Sequence, residues 1–227
     1  DIEETVKIDV DTLENQFRKH NIADLDFIKV DTQGSELFVL EGATEILKKD
    51  VFGLEIEVEF APMYVDQPLF ADVDQFVKQL GFQLFDLKPY FWKRNSGKKY
   101  GNPKGQLIFA DALYLRTQEV FSDVLNESKD DHWMRSKVLR SISICILYGY
   151  LDYAIDIFDK NKNLFSEIEH KAFFTNIQNT ISLSNKLPVF KGRSRIVNLI
   201  YKLSKIFEIS DWATSQQKLG NLGGRRF

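Results

Sequence analysis

The sequence predicts an α/β domain on a mostly parallel sheet with a terminal antiparallel hairpin, followed by an all-α C-terminal region. Three observations carry that reading. Up to Thr117, short apolar runs of strand character alternate with segments of helical spacing. The last two apolar runs are joined by a long polar loop, the mark of a hairpin closing a sheet. Beyond Thr117, apolar residues recur at helical spacing almost throughout. Charge divides at the same place. Residues 1–117 hold 21 Asp and Glu against 14 Lys and Arg, a net of −7, and residues 118–227 hold 12 against 16, a net of +4. The expected organisation is one domain over 1–117 and a helical extension over 118–227.

Each element follows from its own residues. "VKIDV" alternates apolar and charged residues as a short strand does. "DTLENQFRKHN" is a helix with Asp11 or Thr12 as N-cap and Asn21 near its end. "LDFIKVD" is a strand. A helix from about Ser35 to Lys49 places Leu37, Leu40, Ala43 and Leu47 on one face, with Glu36 in its first turn. "VFGLEIEVEF" is the next strand, and "ADVDQFVKQLG" a helix that Gly81 stops. "FQLFDLKPYFWKR" and "QLIFADALYLR" form the hairpin around "NSGKKYGNPKG". In the extension, "WMRSKVLRSISICILYGY", "LDYAIDIFDKN", "FSEIEHKAFFTNIQNTIS" and "RIVNLIYKLSKIF" read as helices. "LYGYLDYAIDIF" resembles one hairpin of a tetratricopeptide-like unit, but no 34-residue period repeats.

Composition narrows the functional classes. A net charge of −3 argues against wholesale binding to nucleic acid or membrane, and 44% hydrophobic content supplies a core. The single Cys145 excludes an internal disulfide and fits a reducing, cytoplasmic compartment; its apolar helical context makes it a structural thiol. No run reaches the roughly 18 apolar residues of a membrane span. His20, His132 and His170 lack metal-ligand spacing, so no metal is expected.

"DFIKVDTQGSELFVLEGA" carries the most specific signal. It resembles the Lys-Ile-Asp-Val-Glu-Gly-x-Glu signature of the FkbM-type S-adenosylmethionine-dependent methyltransferases. "DVDTLENQFRKHNIADLDF" is similar to that family's Thr-Leu-Asp segment, and "GLEIEVEF" to its next glutamate-bearing strand. The resemblance covers residues 6–116. Gln33 stands where the family usually has Glu, and Glu14 where Asp is usual. The resemblance implies a Rossmann-like class I methyltransferase sheet, of which this chain would hold the C-terminal part, from the fourth strand to the seventh. No glycine-rich turn follows a first strand, and "NLGGRRF" has neither strand before it nor helix after it. The adenosine-binding half is therefore expected outside these residues, so that the 227 residues alone would bind the cofactor weakly and tend to self-associate.

The resemblance implies S-adenosylmethionine as cofactor and methyl transfer to a hydroxyl oxygen, of a sugar or secondary metabolite. It implies cofactor contacts from Asp31, Thr32, Gln33 and Gly34, since ligands sit at the carboxyl ends of strands in such sheets. Asp31 serves either there or as a cap of the following helix. Strand alternation puts Phe27, Lys29 and Asp31 on one face and sets Glu55, Glu57 and Glu59 together on theirs. If the two strands are parallel neighbours, three carboxylates on one face need a cation. A Lys29–Glu57 ion pair beneath the site is the expectation, leaving Asp31 and Glu59 toward donor and acceptor. Tyr90, Trp92 and Arg94 are either acceptor-binding residues or the amphipathic edge of a hairpin. "KLPVFKGRSR" is either a solvated basic face or a contact for anionic lipid or polyanion. The helical extension packs on the catalytic domain, covers the acceptor site or mediates self-association. The other readings are a non-catalytic binding module and a helical interaction protein.

Overall fold

The computed structural model describes residues 6–22, 24–96, 105–128, 130–184 and 192–204. The loop at 97–104, the C-terminal "NLGGRRF" and the start of "KLPVFKGRSR" lie outside them. The elements run α1 (Leu13–Lys19), β1 (Phe27–Val30), α2 (Glu36–Glu41), α3 (Thr44–Lys49), β2 (Gly53–Glu59), α4 (Phe70–Gln79), β3 (Phe82–Trp92) and β4 (Gln106–Arg116). Helices α5 (Gln118–Asn126), α6 (Asp131–Leu147), α7 (Leu151–Lys160), α8 (Glu167–Ser184) and α9 (Arg193–Ser204) follow.

The four strands lie in the order β1-β2-β4-β3. β1 and β2 are parallel, while β4 runs antiparallel to β2 and returns from β3 through the hairpin. The result is a partly parallel, Rossmann-like sheet with a terminal antiparallel hairpin, then an all-α region, as the sequence predicts. One strand face carries Leu54, Ile56, Val58, Ala110, Ala112 and Tyr114, all fully buried. Leu40 of α2, Leu47 of α3, and Val73 and Val77 of α4 complete this core. The other face holds the charged residues.

Local chemistry explains most boundaries. Thr12 caps α1, its hydroxyl accepting from the Asn15 amide at 3.2 Å. Gly81 ends α4 with φ +86, and a Cβ there would lie 2.7 Å from Val120, so glycine is required twice over. Thr117 caps α5, which buries Phe121, Val124 and Leu125; the Phe121 ring meets Phe52 edge-on at 5.0 Å.

Two expectations need correction. Residues 6–10 do not form a strand. Val6, Ile8 and Val10 are 66–85% exposed, and no described strand borders them; alternation alone does not make a strand without a ladder partner. The helix expected from Ser35 to Lys49 is two, interrupted at Gly42 and Ala43. Leu40, Ala43 and Leu47 are nonetheless all fully buried, so the break preserves the apolar face.

The chain forms two compact units. The first comprises residues 1–89 and 107–144, so it includes α5 and most of α6. Within it Lys137, fully buried, pairs with Asp24 at 3.0 Å and Asp26 at 2.9 Å, and Arg140 binds the same two carboxylates. The second comprises residues 90–106 and 145–227. Phe158 of α7 stacks on Phe173 of α8 with centroids 4.0 Å apart, and His170 meets it edge-on. The other ring nitrogen contact of His170 is the Lys162 carbonyl at 2.9 Å, which makes it a packing residue. Cys145 is buried, its thiol pushed up to about 12 by loss of hydration.

Candidate functional site

The carboxyl ends of β1 and β2 carry the unusual chemistry of the first unit. The backbone leaving β1 turns sharply, with Gln33 at φ +57 and Gly34 at φ +104. Glu36, 3% exposed in the first turn of α2, holds this turn from beneath. Its Oε1 accepts the Thr32 amide at 2.7 Å and its Oε2 the Gly34 amide at 2.9 Å; the Thr32 hydroxyl donates as well. Both amides are thereby satisfied by a carboxylate. The turn is a negatively charged rim, unlike a phosphate-binding loop, whose amides point at the ligand.

A second loop, between β2 and α4, closes over the turn. A Cβ on Gly34 would sit 2.8 Å from the Tyr64 ring and 3.0 Å from the Gln67 amide nitrogen. Close approach and left-handed backbone together explain the glycine. The Gln67 Oε1 accepts the Met63 amide at 2.9 Å and the Tyr64 amide at 3.2 Å, fixing the loop. Tyr64 remains half exposed beside the turn.

Three carboxylates face this region with distinct environments. Asp31 is exposed and accepts Gln33 Nε2 at 3.2 Å; it does not cap α2, whose N-cap is Ser35. The same Gln33 nitrogen donates to Glu57 Oε1 at 2.9 Å, so one amide bridges the two strand ends. Burial raises the Glu57 carboxyl above its usual range, and the charges of Asp31, Glu36 and Asp111 add to the rise. Glu59 is 2% exposed, and its Oε1 has no hydrogen-bond partner. Burial first, then the charges of Glu36 and Glu57, push its carboxyl up to about 7. The Gln67 amide is near enough to oppose that rise, yet its nitrogen too is buried without completing a hydrogen bond.

Lys29 does not pair with Glu57. The parallel register sets Lys29 opposite Glu55, and the two form the ion pair at 2.8 Å. The Asp26 carbonyl fixes that register by accepting the amides of both Phe52 and Gly53. Glu57 faces Asp111 on β4 instead. Lys29 therefore sits one ladder step below the level assigned to it, on a largely exposed side chain.

The geometry brings Asp31, Thr32, Gln33, Gly34, Glu57 and Glu59 to one sheet end. Residues 1–84 match the family model of the methyltransferase FkbM domain. No curated protein and no solved structure matches the chain. The FkbM match takes in β1, β2 and both loops of the site, and ends inside β3. At the level of family and fold, this region is methyltransferase-like.

Tyr90, Trp92 and Arg94 belong to the other compact unit, where Arg94 donates to the Gln106 side chain at 2.9 Å across the hairpin. Three residues of this site, Glu36, Gln67 and Tyr64, show little of their role in the sequence. Glu36 read as a favourable first-turn acid, although its burial beneath a left-handed turn is what gives it two amides. Gln67 and Tyr64 lie in "APMYVDQP", a loop without periodicity; proline on each side and the lone glutamine were the available signals.

Proposed function

We propose that this chain serves an S-adenosylmethionine-dependent methyltransferase acting on a hydroxyl oxygen, with Glu59 as general base. The observation that carries this is the buried, hydrogen-bond-deficient Glu59 Oε1 at the carboxyl end of β2, in a carboxyl pushed up to about 7. A base poised near the working pH suits proton removal from an alcohol, which is a weak nucleophile until deprotonated.

The residues present suit a cationic ligand. With the Thr32 and Gly34 amides engaged by Glu36, the rim offers carboxylates and carbonyls to the positive sulfonium. Asp31, Thr32, Gln33 and Gly34 are the residues that would hold that end. When bound, S-adenosylmethionine supplies an electrophilic methyl carbon on a positively charged sulfur. Glu59 would take the acceptor's hydroxyl proton on its Oε1, leaving that oxygen nucleophilic toward the methyl carbon. Glu57, tied to Gln33, orients the turn and keeps the local field negative. Tyr64 offers a half-exposed ring on which a sugar face packs. A saccharide or secondary-metabolite alcohol fits this reading, in a cytoplasmic enzyme whose working division falls near Thr117.

The test is methyl transfer from labelled S-adenosylmethionine to hydroxylated acceptors. Glu59→Gln is expected to lower kcat by roughly 100-fold or more with little change in KM. The wild-type kcat/KM should rise through about pH 7 as Glu59 loses its proton. Normal turnover by Glu59→Gln would remove the base from this assignment.

A further inference from the structure

Helix α9 carries an exposed apolar stripe remote in sequence from the site. Ile196, Leu199, Ile200 and Leu203 recur at the i, i+3, i+4, i+7 spacing that places them on one helical stripe. All four are 47–60% exposed, a contiguous apolar face turned to water. Between Glu169 and Glu208 the sequence has no Asp or Glu, and seven Lys and Arg, in a chain of net −3. Arg193, Arg195 and Lys202 lie in the helix itself, and Arg195 is exposed.

We infer that α9 and the basic segment around it dock this protein on the surface of an anionic lipid bilayer. Three features select that occupant. An acid-free basic segment complements negatively charged headgroups, each nearby Lys or Arg adding attraction. The exposed stripe is what an interfacial helix buries among acyl chains while lying flat, and nucleic acid has no use for it. At 12 residues α9 is about 18 Å long, too short to cross a hydrocarbon layer of about 30 Å. No helix among the described residues is long and apolar enough to span a membrane. A second copy meeting this face through a two-fold axis would set one all-cationic segment against another, which like-charge repulsion opposes.

The test is co-sedimentation of the full chain with phosphatidylcholine vesicles, with and without phosphatidylserine. Binding is expected only with phosphatidylserine, and it should weaken as salt is added. Arg193→Gln with Arg195→Gln should reduce vesicle affinity by about fivefold per charge removed. Leu199→Glu with Ile200→Glu should abolish binding, with circular dichroism showing α-helical content kept. Three outcomes would overturn the proposal: no binding to either vesicle; full binding by the Glu variants, which means attraction to any polyanion; or a dimer in light scattering that the Glu variants dissociate, which means the stripe faces a second copy.

Discussion

Glu59 links the chemistry of the site to the stability of the fold. Its carboxyl is raised from 4.5 to about 7, so between those pH values the folded chain binds a proton that the unfolded chain has released. Folding is therefore most favoured below about pH 4.5 with respect to this group, and the contribution is lost as pH rises through about 7. The penalty above pH 7 is about 3 kcal/mol, the size expected for that shift. Glu59→Gln removes the charge and hence the penalty. Thermal melts should show Glu59→Gln more stable than wild type at pH 8 and nearly equal at pH 4. A variant less stable at pH 8 would mean the ionised carboxylate is paired in solution. Lys29→Met, by contrast, should move Tm little, because the Lys29 side chain is largely exposed.

Between elements, Arg116 does the work that no apolar contact can. It is 1% exposed at the end of β4, and its guanidinium donates to the carbonyls of Leu47, Lys48, Val51 and Leu80. These are the last carbonyls of α3, the strand lead-in and the cap of α4, groups that a helix end leaves unpaired. Burial lowers the guanidinium to about 10, so it stays charged at neutral pH, and Phe82 lies 4.7 Å from it. Arg116→Met strands these acceptors and should cost about 3–5 kcal/mol in urea unfolding. Arg116→Lys should recover part of that, since a single ammonium cannot serve the whole fan. Nothing in "LYLRT" announces this role; the arginine reads as the polar end of a strand until α3 and α4 are seen to finish against it. The carboxylate face of β2 was legible, because alternation in "LEIEVEF" fixes which side chains share a side. Its partner was not, since a parallel register depends on where Asp26 catches the Phe52 and Gly53 amides, and periodicity is blind to a two-residue offset. The Gly34 turn was legible as a turn, but the floor beneath it and the Tyr64 loop above it are tertiary.

At the scale of the first unit, α6 clamps the end of β1 opposite to Asp31. Asp24, with φ +67, and Asp26 converge on Lys137 and Arg140, an ionic knot around the buried Lys137 under the strand's first residue. Burial pushes the Asp24 carboxyl up, but Lys137 and Arg140 together outweigh it and hold it below its usual range. That stabilisation is complete above the ordinary Asp range and is lost as pH falls through the lowered value. Lys137→Met takes one of two cations from Asp24 and Asp26 and sets a buried thioether beside them, which should cost about 3 kcal/mol, the low end for breaking a buried pair. It should also flatten the acid limb of the stability profile, read by urea midpoints from pH 7 down to the unfolding of the wild type. Unchanged midpoints would show that Arg140 alone suffices to neutralise both acids.

The placement of β4 between β2 and β3 has a consequence in time. A ribosome delivers β2 and β3 well before residue 106, yet the two never touch; the rung that joins them is made last. Until β4 arrives, the hydrogen-bonding edge of Gly53–Glu59 that it will occupy has no native neighbour, and Arg116 is not yet there to seal α3 and α4. The emerging chain must keep a slot open at its own centre, with Glu57 and Glu59 standing in solvent on one side of it. In that waiting state the negative charges of the later site oppose pairing with other copies of the same edge. The acids of β2 are thus guardians of the slot before they are anything else.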